Sequence, residues 1–128
     1  MLLYITLGTN DIPRARTFYD AVMPTLGHIL RQGDDTELCY GPSGDGGLCL
    51  WIDTPYNKLP ATIGNGSMLA FTADRRAAVD AFHAAGLAAG GTDEGAPGLR
   101  PYGPHFYACY LRDPDGNKIS AVCETPEG

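Results

Sequence analysis

Residues 111–122 read LRDPDGNKISAV, two apolar strand-like runs around an Asp-Pro-Asp-Gly-Asn group. Proline presets the first turn position and Gly and Asn accept the strained ones, so the stretch predicts a hairpin, from about His105 to Cys123. An answering turn, GPSG at 41–44, lies between strand-like pieces at 36–40 and 47–53. TND at 9–11 likewise answers TAD at 72–74, each ahead of a helical pattern. Two pairs of matching signals in the same order point to a chain that repeats itself.

The rest of the sequence fits that repeat. Leu3, Ile5 and Leu7 alternate with Tyr4, Thr6 and Gly8, the period of a half-buried strand. Asn10-Asp11 offers a helix N-cap, Pro13 falls in the first turn, and Ile12, Ala15, Phe18, Tyr19 and Val22 recur at helical spacing. Pro24 and Gly27 mark the end of that helix, and a strand-like piece follows at about 28–31. After a Pro/Gly/Asn-rich stretch at 54–66, SMLAFTAD alternates again. Asp74 is expected to cap a second helix with Ala78, Phe82 and Ala85 on its apolar face and Gly86 as C-cap. A weak strand at about 91–94, a long loop GAPGLRPYGP and the final hairpin complete the second half. The predicted class is α+β. Two tandem βαβββ modules, about 1–56 and 64–125 of a single 1–128 domain, form a curved, partly open barrel around a cleft.

Composition narrows the partners. The hydrophobic fraction of 44% and charged fraction of 19% are those of a globular chain. A net charge of −6 with nine Lys and Arg argues against a nucleic-acid partner, which needs a basic face. No apolar run approaches the roughly 18 residues of a membrane span, and the opening MLLYITLGTND lacks the basic start of a signal peptide. Cys39, Cys49, Cys109 and Cys123 sit in apolar runs without metal-type spacing and read as buried thiols of a cytoplasmic protein. A small molecule is the expected partner.

The repeat, TNDIPRARTFYDAVMPTLG at 9–27 and YACYLRDPDGNKISAV at 107–122 together resemble the vicinal oxygen chelate superfamily, which holds glyoxalase I, extradiol dioxygenases and the fosfomycin and bleomycin resistance proteins. The resemblance covers nearly the whole chain. It implies paired βαβββ modules, a pocket inside the sheets and a homodimer. In metal-using relatives it also implies a divalent site of His and Glu, whose oxygens and nitrogens converge at about 2.0–2.2 Å. Here the matching positions hold Tyr4, Met68, Ser120 and either Leu48 or Cys49. Neutral serine is a poor ligand, and a thioether or an aliphatic chain does not hold a hard ion. No metal is therefore expected at the usual site, and no other cofactor.

Tyr4, Met68 and Ser120 are then expected to face a ligand rather than an ion. A regular hairpin brings Tyr110 opposite Ser120, with Ala108 and Phe106 on the same face. The loop LRPYGPHFY adds Arg100, for pairing with an anionic group, and Tyr102. His105 there supplies an imidazole, the side-chain type that most often serves as acid or base near neutral pH. Tyr4, Met68, Arg100, Tyr102 and Ser120 are the expected ligand-binding set, and His105 with Tyr110 the candidates for catalysis. His28 is read as structural and His83 as a solvated surface residue, and Trp51 either lines the pocket or fills the core, its size favouring the core. Two functions stay open. One is a metal-independent binder of a small organic ligand. The other is a glyoxalase-like lyase or isomerase, or a dioxygenase-related enzyme, using a relocated metal at His105 and His28 or acid-base chemistry by His105 and Tyr110.

Overall fold

The first strand, β1 (Tyr4–Gly8), turns Ile5 and Leu7 toward the helices and leaves Tyr4 and Thr6 on the other side. In the computed structural model, which describes residues 1–44 and 46–127, it leads into helix α1 (Ile12–Val22). The Asp11 carboxylate caps α1 by accepting from the Arg14 N–H at 3.0 Å, with Pro13 in the first turn. A short 3-10 turn, Met23–Leu26, ends at Gly27, whose φ of 84° is the left-handed value that glycine adopts without strain. Strands β2 (Ile29–Gly33), β3 (Glu37–Gly41) and β4 (Cys49–Asp53) complete the module.

The second half repeats this order as β5 (Leu69–Thr72), α2 (Arg76–Ala88), β6 (Thr92–Leu99), β7 (Tyr107–Arg112) and β8 (Lys118–Cys123). The sheets run β1-β4-β3-β2 and β5-β8-β7-β6, each with its first and last strands parallel and the remaining pairs antiparallel. The duplication read from the turns is thus carried through the topology. The two four-stranded sheets stay separate and do not close into a barrel.

The helices lie against one another, and a single apolar core runs through both modules. Gly86 sits inside α2 at this contact. A Cβ there would fall 3.4 Å from Val22 and 3.5 Å from Phe18 and would collide with Leu111, so the glycine serves close approach and not the expected C-cap. The helix continues to Ala88. Asp74 is not its cap either: Arg75 holds the N-cap position without a side-chain bond, and the Arg76 N–H donates to Glu127 from the C-terminal segment at 2.9 Å.

Strand β6 is longer than the sequence pattern suggests, because it absorbs Gly95, Pro97 and Gly98 through two register shifts. It is an edge strand, where the missing proline N–H costs no ladder bond. His83 is a further correction. It is buried, and its Nε2 lies 2.9 Å from the Asp93 carboxylate on β6. Trp51 pairs with Thr6 and Cys39 on the sheet face away from the helices and is not part of the core.

The modules are clasped by the 113–117 turn. The buried Asp113 carboxylate accepts from the Tyr19 hydroxyl at 2.6 Å, the Asn117 side chain and backbone N–H at 2.9 Å, and the Asp115 N–H at 3.0 Å. Asn117 also donates to the Gly8 carbonyl at 3.0 Å. Asp115 accepts from the Thr9 hydroxyl, the Asn10 N–H at 2.9 Å and Arg14 at 2.8 Å. Burial, and then Asp113, push the Tyr19 phenol well above its ordinary pKa, so it stays a donor. Replacing Asp113 by Ala orphans several buried donors and is expected to cost roughly 3 kcal/mol in urea unfolding. Arg16→Ala, which breaks the exposed Arg16–Asp20 pair, is expected to cost less than about 0.5 kcal/mol. Equal losses in the two variants would refute a structural clasp.

Candidate functional site

Alternation along the strands decides which side chains leave the core. In β8, Ile119, Ala121 and Cys123 face the helices, so Lys118, Ser120 and Val122 face the opposite side. In β7 the same parity places Ala108, Tyr110 and Arg112 there. The hairpin is regular: Tyr110 pairs with Ser120, Ala108 with Val122 and Arg112 with Lys118.

Above this face lies an open cavity of about 530 Å3, with Met68, Arg100, Tyr102, Phe106, Tyr110 and Lys118 in its walls. Glu94 and Gly95 of β6 supply the remaining edge. Met68 and Lys118 also line a second cavity of about 220 Å3 that reaches Ile5, Thr6 and Leu7 of β1, so the two adjoin. Arg100 and Lys118 both approach the Tyr110 ring, at 5.4 and 5.6 Å from its centroid. Tyr102 and Phe106 meet edge to face at 5.3 Å.

Of the expected residues, Met68, Arg100, Tyr102 and Tyr110 therefore come together. Ser120 lies next to Tyr110 but is fully buried, and its hydroxyl has no protein partner. Tyr4 is exposed on β1 opposite Cys49 and lines neither of these two cavities. His105 is half-buried in the turn before Phe106 and is not a wall of either. His28 lines a separate crevice of about 230 Å3 with Met23 and Tyr40, so it and His105 share no cavity. Lys118, Glu94 and Gly95 escaped the sequence reading. Lys118 was within reach of it, two residues before Ser120 and on the same strand face.

The walls of the cavity beside Tyr110 offer a guanidinium, an ammonium, a carboxylate and two phenols, and no thiol. Burial pushes the Cys39 and Cys109 thiols up to about 11, so both stay protonated near neutral pH. Among the described residues no group of three His, Cys, Asp or Glu side chains is arranged to hold a metal ion. The residues at the superfamily's ligand positions do not fit a hard divalent ion: an exposed phenol, a thioether and a buried, unpaired hydroxyl are the donors offered by Tyr4, Met68 and Ser120.

Comparison with known proteins gives a consistent result. A model of the Glyoxalase/Bleomycin resistance protein/Dioxygenase superfamily matches residues 1–121. A glyoxalase/bleomycin resistance protein from Albidiferax ferrireducens T118 is similar at 42% identity, over 98% of this chain and 99% of that one, with a TM-score of 0.87. A glyoxalase-related enzyme from Fulvimarina pelagi shares the fold at 21% identity, over 96% of this chain and 87% of that one, with a TM-score of 0.77. So does a lactoylglutathione lyase from Agrobacterium tumefaciens at 24% identity, over 96% and 92% of the two chains, with a TM-score of 0.63. No curated protein matches the sequence.

A buried hydroxyl without a partner is a net cost that a methyl group does not carry. Ser120→Ala is accordingly expected to leave stability unchanged or raise it by up to about 1 kcal/mol in urea unfolding. A loss beyond that range would show that the hydroxyl makes a bond in solution.

Proposed function

Because the chain belongs to the Glyoxalase/Bleomycin resistance protein/Dioxygenase superfamily, we propose that it binds a small organic ligand in the cavity beside Tyr110, without a divalent ion at the superfamily's usual positions. The observation that carries this reading is the convergence of Met68, Arg100, Tyr102, Phe106, Tyr110 and Lys118 on one open space of about 530 Å3. Ligand sites of this class have volumes of roughly 300–1,000 Å3, apolar and aromatic walls and a few placed polar groups. In this reading Tyr102, with 72% of its surface exposed, is covered when the ligand enters, and Arg100 and Lys118 orient it.

The reading is tested by elemental analysis and native mass spectrometry of protein purified without chelator or metal affinity. The expected result is less than stoichiometric metal, with or without an organic passenger. One equivalent of a divalent metal per chain would overturn the metal-free site and favour the lyase or dioxygenase alternative.

The same proposal takes the protein to act in the cytoplasm as a homodimer. Leu3 and Tyr4, exposed at the edge strand β1, support the pairing, since an apolar free edge invites a partner. Light scattering is expected to give twice the chain mass, and a monomer at all concentrations would remove that part.

A further inference from the structure

Arg100 does not sit in the cavity as a loose surface cation. Its Nη2 donates to the Ala96 carbonyl at 2.7 Å, and its guanidinium lies against the Tyr110 ring. Glycine at 95 and 98 makes room for it. A Cβ at Gly95 would come within 3.3 Å of Nη2, and one at Gly98 within 3.0 Å of Nη1. The double register shift of β6 therefore builds a cradle that holds the guanidinium over the cavity, with most of its five donors unspent.

The charge around it is unbalanced. Among the described residues neither Arg100 nor Lys118 has a carboxylate within ion-pair distance. Glu94, the acid in the cavity wall, is taken by Arg112 at 2.6 Å. Two cations thus converge on one ring in a chain whose net charge is −6. Half-buried cations held beside aromatic walls are well placed to bind an anion by charge-assisted hydrogen bonds, and a guanidinium in particular matches a planar carboxylate.

We infer that the ligand is a small organic anion, its acidic group held by Arg100 with help from Lys118 and its flat apolar part against Tyr102 and Phe106, with Arg100 setting the preference for charge. The inference rests on the cavity being the ligand site. The aromatic walls favour an organic anion over a free inorganic one, because an ion without an apolar body leaves Tyr102 uncovered.

The test uses three probes of one shape: 2-naphthoate, 2-naphthamide and 2-naphthylmethylammonium, titrated against amide NMR spectra of the full chain. Naphthoate is expected to shift the Gly95, Tyr102 and Tyr110 signals saturably and to bind about tenfold or more tighter than the amide, as one charge-assisted contact implies. The ammonium probe is expected to bind most weakly. Arg100→Met is expected to abolish the gap between naphthoate and the amide, and Arg100→Lys to keep part of it. The lysine variant carries the test should the methionine variant not fold. Equal affinities for the anion and the amide at these residues would overturn the anion inference and leave the cavity standing. An undiminished gap in either folded Arg100 variant would overturn the assignment to Arg100. Absence of shifts at these residues with all three probes would overturn the inference and the cavity together.

Discussion

The buried carboxylates of the 113–117 turn fix how the two modules meet. Asp113 and Asp115 belong to the second module, whereas Tyr19, Thr9, Asn10 and Arg14 belong to the first. Helix α1 is capped locally by Asp11 and again from across the molecule by Asp115, which places negative charge at the positive end of its dipole. A carboxylate whose oxygens are filled by donors from two halves has few alternative positions, since any shift orphans buried polar groups. Asn117 extends the same constraint to the end of β1 through the Gly8 carbonyl. The space between β1 and the β5–β8 pair, where Thr6, Met68 and Lys118 line one cavity, is therefore set by the clasp.

The clasp also shows where the duplicated halves diverged. In the answering turn of the first module, Gly41 and Ser43 stand where the second has Asp113 and Asp115. The carboxylates occur in one copy only, so at this turn chemistry breaks the symmetry of the topology. The same asymmetry appears at the helix starts. Asp11 caps α1 from its own chain neighbourhood, while α2 depends on Glu127.

What could be read from the sequence was whatever depends on neighbours a few residues apart. Period-two alternation found β1 and β5, turn chemistry found the β7–β8 hairpin, and its two-fold parity gave the Tyr110–Ser120 pair. Contacts across long separations could not be read in the same way. Glu127 reaches Arg76 over 51 residues. His83 looked solvated because its own helix offers it no partner, yet β6 supplies Asp93, whose carboxyl is held below its usual range by that contact and by the Gly95 N–H. Proline and glycine hid β6 because their ordinary meaning is a loop, and only its place at the sheet edge makes them compatible with a strand. In the candidate cavity, the wall places of Met68, Arg100, Tyr102 and Tyr110 were legible, whereas the positions of Tyr4 and His105 relative to it depend on how the modules and the 101–105 turn are placed.

Charge is distributed between the two open sheet faces in a way that the net value conceals. On the first module, Glu37 and Asp53 stand opposite each other across β3 and β4. Burial, followed by Glu37 and Asp34, raises the Asp53 carboxyl above its ordinary pKa, as expected where like charges crowd a partly covered acid. On the second module, Arg112 and Lys118 stand opposite each other across β7 and β8, with Arg100 folded in from just beyond β6. Arg31 is the exception on the first face, at its far edge strand, where it turns to the Gly46 carbonyl and Cys49. Fixed charges of opposite sign on the two faces of one small chain set up a field, and such a field is strongest in a concave site with low-dielectric walls. The aromatic cavity lies on the basic face, so the Coulomb term and the apolar term favour the same location for an organic anion.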